Sequence, residues 1–171
     1  MIPMMEASHH SFSDDGDVPN SRLPLIVYSG AIAAAGDAAS AFEALFHRNG
    51  WGGGWRNGIF PFHHYHSTAH EVLGIARGEA DVRFGGEGGT TLHVRAGDAV
   101  LIPAGVGHKR ISATPDLLVV GAYPAGQWAD LMREGAEDKA GIRARIAAVK
   151  LPEADPVAGK DGPMRGLWKP G

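Results

Sequence analysis

The pattern of apolar and polar positions changes character several times along the chain. Residues 1–22 carry no period and are acidic around Ser11 to Asp17, so a mobile N-terminal tail is expected there. Leu23 to Tyr28 is a short apolar run, read as an edge strand. From Asp37 to Arg48 the apolar residues Ala38, Ala41, Phe42, Leu45 and Phe46 recur at helical spacing. Asp37 is placed to cap this helix, and Asn49-Gly50 to stop it. Trp51 to Trp55 reads as a glycine loop held by two tryptophans, both expected as core anchors.

Between Asn57 and Tyr123 short β-type runs alternate with turn signals. Ala80, Val82 and Phe84 alternate with Asp81 and Arg83, and Gly85-Gly86-Glu87-Gly88-Gly89 forms a hairpin turn from which Thr91 to Arg95 returns. Ala99 to Pro103 and Leu117 to Ala122 are further strands. Many short strands at this spacing predict a sandwich or barrel. After Pro124 the pattern turns helical, with Trp128, Leu131 and Met132 on one short face and Ile142, Ile146 and Val149 on another, before a Pro- and Gly-rich extended tail. The expected division is a tail over 1–22, a barrel over 23–125 that includes the helix at 37–48, and C-terminal helices and tail over 126–171.

Composition narrows the function classes. The chain has no cysteine, which removes disulfides, thiolate metal sites and a cysteine nucleophile. A net charge of −3 argues against a nucleic-acid partner. No apolar run approaches the roughly 18 residues of a membrane span, and the start shows no secretory signal pattern, so the expectation is a cytoplasmic protein without a membrane partner. The 25 glycines, about twice the usual share, suit a molecule with many tight turns.

His63, His64, His66 and His70 fall within eight residues. On a strand, His64 and His66 share a face and can grip one ion. Glu71 can add a carboxylate after a turn or bulge, and a barrel could bring His108 opposite the pair. Three imidazoles and one carboxylate suit one divalent transition-metal ion: Fe, Mn, Ni, Co, Cu or Zn. By the same alternation His63 points away, toward the surface or behind the ligands. His70 replaces Glu71 if the register differs. No role is assigned to His9, His10, His47 or His93.

At these residues the sequence resembles the cupin superfamily. Gly58-x5-His64-x-His66-x4-Glu71-x6-Gly78 is similar to the first cupin motif, and Gly97-x5-Pro103-x-Gly105-x2-His108 to the second, with Ser112 where an Asn is usual. The resemblance covers about the central third of the chain. It implies an all-β double-stranded β-helix, or jelly-roll barrel, with flanking α-helices. It also implies a metal inside held by His64, His66, Glu71 and His108, in the manner of the small one-domain bacterial cupins. An open barrel leaves apolar edges that the helix at 37–48 and the end strand, or a second subunit, would cover; with the resemblance, this sets the expectation of a homodimer.

Alternation along the strand after His108 places Arg110 and Ser112 on the ligand face. An interior Arg must be paired, either by an anionic substrate or by Glu71, Asp98 or another acid, unless a bulge turns Arg110 outward. Phe62 shares the parity of His64 and is expected to line the pocket, whereas Tyr65 and Lys109 face away. Tyr123 reaches the mouth or packs. The functional expectation is a metal-dependent cupin acting on a small, anionic molecule with oxidoreductase or dioxygenase chemistry. The alternatives are a non-catalytic small-molecule binding or sensing module, and a metal-dependent isomerase or lyase. A metal-free sugar epimerase on the same barrel would not need the full ligand set.

Overall fold

The computed structural model describes residues 5–171. Its strands are β1 (Glu6–Phe12), β2 (Ser21–Ser29), β3 (Trp51–Asn57), β4 (His64–Tyr65), β5 (Glu71–Arg77), β6 (Glu79–Phe84), β7 (Thr90–Arg95), β8 (Ala99–Ile102), β9 (His108–Ala113), β10 (Leu118–Pro124) and β11 (Met132–Arg133). Its helices are α1 (Ala38–Arg48), α2 (Lys139–Ala148) and α3 (Pro163–Leu167). The strands form a six-stranded sheet ordered β1-β2-β8-β5-β10-β3 and a five-stranded sheet ordered β11-β4-β9-β6-β7. Every pairing is antiparallel, and consecutive strands repeatedly cross between the sheets, which makes a jelly roll.

The core lies between the sheets. Leu25, Leu73, Ile75, Val100 and Val119 from the larger sheet meet Ala80, Val82, Phe84 and Val94 from the smaller one. The larger sheet is also covered on its outer face, where Ile26, Tyr28, Val72, Leu101 and Val120 pack against Phe42 and Phe46 of α1 and against Met164 and Trp168 near the C-terminus. Burial on both faces explains why β2, β5, β8 and β10 read as nearly continuous apolar runs, while β6, with one wet face, alternates. Helix α1 follows the expected bounds, and the Asp37 carboxylate accepts from the Ser40 amide at 3.1 Å. It packs close because Gly74 of β5 lies under the Phe42 ring, where a Cβ would stand 2.5 Å from a ring carbon.

Four expectations from the sequence are corrected. Trp51 to Trp55, read as a glycine loop, is strand, the start of β3 along β10. Residues 6–12, read as part of the tail, form β1 along β2, so β2 is an interior strand and not an edge. Five of the seven β1 residues are exposed and none is fully buried, so the strand carries no apolar period and is held by backbone pairing. The segment carrying Trp128 and Leu131 is not helical: Trp128 is 79% exposed, and Met132–Arg133 pairs with β4 instead. The C-terminal stretch is no loose tail. The buried Asp155 carboxylate accepts from the Tyr28 hydroxyl at 2.5 Å and from the amides of Val157, Ala158 and Met164, which fastens that stretch to β2. No helix of the described residues is long and apolar enough to cross a membrane.

Candidate metal centre

The smaller sheet supplies two imidazoles, the segment just after β4 a third, and the larger sheet one carboxylate. β4 is only two residues long, and it pairs with β9 at a single position, His64 against His108. That register sets their ring centroids 4.0 Å apart. His66 follows β4 with its ring 6.1 Å from that of His64. Glu71 opens β5 and crosses the interior: its Oε1 lies 3.3 Å from His66 Nε2 and 3.4 Å from His108 Nε2. Donor atoms of His66, Glu71 and His108 all lie within 4.8 Å of one another, so this triplet could hold a metal ion. His64 stands beside it and faces the same cavity.

The three rings share one device. His64 Nδ1 donates to the Phe62 carbonyl at 2.9 Å, His108 Nδ1 to the Val106 carbonyl at 3.2 Å, and His66 Nδ1 to the Asp130 carbonyl. A carbonyl can only accept, so each Nδ1 carries a hydrogen and each Nε2 is left as the metal-binding nitrogen. Outer hydrogen bonds of this kind orient ligating histidines. Asp130 is itself clamped: its carboxylate accepts from the Ser67 amide at 2.6 Å and from the Ser67 hydroxyl, and its amide donates to Thr68 at 3.0 Å.

The electrostatics follow from burial and charge. Burial, and then the nearby His108, hold His64 down to about 3. Burial alone would lower His66, but the Glu71 carboxylate and the Asp130 carbonyl outweigh it and push His66 up to about 9. Burial works to raise Glu71, yet His66 and His108 keep it well below the usual carboxylate range. Before a metal ion binds, these shifts favour a Glu71 carboxylate facing a protonated His66, beside a neutral His64.

Residues 56–120 match the cupin domain. The uncharacterised protein YjlB of Bacillus subtilis (strain 168) is 42% identical over 164 residues, which make up 95% of this chain and 97% of that protein. The chain belongs to the cupins. Among solved structures this cupin is similar to acireductone dioxygenase from Bacillus anthracis, which has a cadmium ion in its active center, at 14% identity and a TM-score of 0.41 over 74% of this chain and 82% of that one. It is also similar to procruciferin, an 11S globulin from Brassica napus, at 16% identity and a TM-score of 0.38 over 66% of this chain and 22% of the globulin, so it spans about a fifth of that protein.

The cupin's interior opens into a cavity of about 380 Å³ lined by the four candidate ligands together with Trp55, Ile59, Phe60, Leu73, Arg110 and Tyr123. Arg110 lines it as expected from alternation, but Ser112 does not. A bulge at Ile111 puts Ser112 opposite Asp81, on the outer face, where its hydroxyl donates to that carboxylate at 3.1 Å. Phe62 is also corrected. Residues 58–63 are not a strand, so parity fails, and Phe60 takes the cavity wall. Phe62 stacks behind Phe60 at 4.9 Å and carries the Arg133 guanidinium 3.9 Å over its ring.

His70 takes no part in the centre. Its Nδ1 accepts from the Ala104 amide at 2.9 Å and its ring packs on Trp168, away from Glu71. His63 is buried, with Nε2 3.2 Å from the Glu87 carboxylate of the hairpin turn. Tyr65 packs under α2 with Val18 and Ile142.

Trp51 is the core anchor expected, its Nε1 donating to the Ala154 carbonyl at 3.0 Å. Trp55 is not: it lines the cavity and donates to the Tyr123 hydroxyl at 2.8 Å. Burial and the Glu71 charge both raise the Tyr123 phenol above its ordinary value. Phe60 and Asp130 went unassigned in the sequence because tertiary contacts of irregular segments, not local spacing, bring them here. For Asp130, 64 residues from His66, no sequence signal exists.

Proposed function

We propose that this cupin holds one divalent transition-metal ion on His64, His66, Glu71 and His108 and acts on a small molecule in the adjoining cavity, as an oxidoreductase of the dioxygenase type. The observation that carries this reading is the common Nδ1 tether. Three backbone carbonyls fix three imidazoles: the Nε2 atoms of His66 and His108 meet the Glu71 carboxylate, and His64 stands beside them on the same cavity. The tight triplet is two histidines and a carboxylate, the donor set that favours non-haem Fe(II). A bound ion would supply Lewis acidity and open coordination positions for substrate and oxidant.

The chain's own groups would do the rest. Glu71 offers the one anionic donor, and its burial strengthens every interaction with a cation. Trp55, Ile59, Phe60 and Leu73 exclude water from the reacting end. The Tyr123 hydroxyl accepts the Trp55 N–H, which leaves its own hydrogen to be donated to Glu71 or to a bound molecule.

Elemental analysis of untagged protein tests the centre. About one equivalent of metal is expected in wild type and almost none in a His64→Ala/His66→Ala variant; equal content in the two would refute it. Oxygen uptake by Fe(II)-loaded protein with keto acids, diketones and thiols tests the chemistry. Ligand-induced melting shifts without turnover under any metal would replace it with a binding module.

A further inference from the structure

Arg110 lies two positions beyond His108 on β9, on the same face, and its side chain borders the cavity. Every acid that could neutralise it is committed elsewhere. Glu71 faces His66 and His108, Asp98 accepts from the amides of Gly30 and Arg95, and Asp81 is turned outward to His93 and Ser112. Among the described residues Arg110 makes no ion pair. A guanidinium half-buried on a mostly apolar wall loses hydration that an anion would restore, and its fork matches a carboxylate.

The rest of the wall limits what that anion is attached to. Two aromatic side chains, Trp55 and Phe60, stand with Ile59 and Leu73. Phe60 is backed by Phe62, which in turn carries the Arg133 guanidinium over its ring. Beyond the candidate ligands, Asn57, Arg110 and Tyr123 offer side-chain polar groups and the Trp55 N–H is already spent on Tyr123, which is too few for a sugar or polyol. Arg110 repels cationic amines.

We propose that the cavity selects a small carboxylate with a flat, apolar body. The carboxylate pairs with Arg110, the body lies on the Phe60 and Trp55 wall, and the far end points to the centre. Arg110 and His108 are about 7 Å apart along the strand, which suits a body of a few bonds between the two ends. The orientation toward the centre rests on the metal-dependent reading above; the Arg110 anchor does not.

Calorimetric titration with phenylacetate and its neutral isostere phenylacetamide tests this, using metal-loaded and chelator-stripped protein with metal content measured alongside. Wild type is expected to prefer the carboxylate about 10- to 100-fold, the range of a charge-assisted pair. Arg110→Gln should bring the ratio near one with metal content and melting temperature unchanged, and Arg110→Lys should keep part of it. Equal binding of the two probes by wild type would overturn the proposal. So would a preference that survives in Arg110→Gln and vanishes on metal removal, because the carboxylate would then sit on the ion. A preference that follows Arg110 in protein that takes up no metal would uphold the anchor and sink the metal centre instead.

Discussion

Metal binding at this centre should release close to one proton, and that proton should come from His66. Its Nδ1 hydrogen is tied to the Asp130 carbonyl, so the titrating proton is the one on Nε2, facing Glu71 3.3 Å away. A metal ion takes that nitrogen only after the proton leaves. With His66 pushed up to about 9, the apparent affinity at pH 7 is about 100-fold below its limit. The dissociation constant should fall about tenfold per pH unit from 7 toward 9 and then level off. His64, held down to about 3, and Glu71, held low, are already deprotonated and add nothing to the slope.

Competition against a chelator of known affinity measures the slope. Calorimetry in two buffers of different ionisation enthalpy counts the protons. The same pair predicts a stability signature before metal is added. Because His66 is raised in the folded state, its contribution is full below pH 6.5 and lost as pH rises to about 9, a change of about 3 kcal/mol. Metal-loaded protein should not show that loss. Glu71→Gln removes the cause of the shift, so proton release should vanish along with much of the affinity. A flat pH profile between 7 and 9, or proton release well below one half per ion in wild type, would refute the argument.

Three further outcomes follow from the packing. His70 is buried neutral and held down to about 3, first by burial, so between pH 6.5 and 3 the unfolded chain binds the extra proton and stability falls by about 1.4 kcal/mol per unit of acidification; urea unfolding at pH 7 and 5 should show a shallower fall in His70→Asn. Asp155→Ala strands the Tyr28 hydroxyl and three buried or half-buried amides, and should lower unfolding free energy by about 3–5 kcal/mol; a loss under 1 kcal/mol would show that the C-terminal stretch is not fastened there. Gly74→Ala drives a methyl into the Phe42 ring and should cost about 1–3 kcal/mol, with part recovered in Gly74→Ala/Phe42→Leu; simple additivity of the two changes would argue against that contact.

Elements whose information is local were legible in the chain. Helix α1 has its period and cap within twelve residues, the β6–β7 hairpin has its alternation and glycine turn, and Arg110 shares the face of His108 because two residues of regular strand separate them. The candidate ligand set was legible for a different reason: its spacing resembles a cupin motif, and the chain is a cupin. Parity by itself could not bring His108 to His64, since that meeting depends on one cross-strand register 44 residues apart.

What tertiary structure decided is whatever depends on a partner strand. β1 has no apolar face to announce it and exists because β2 offers an open row of backbone groups. A single bulge at Ile111 turned Ser112 outward, and the irregular stretch before β4 exchanged Phe62 for Phe60 at the cavity wall. The Asp130 carbonyl that aims His66, and the Trp55–Tyr123 contact beside Glu71, come from segments far apart in the chain. Side-chain period is a property of neighbours in sequence. Register, bulges and the closure of two sheets are set by pairing between strands, and no window of residues along the chain contains them.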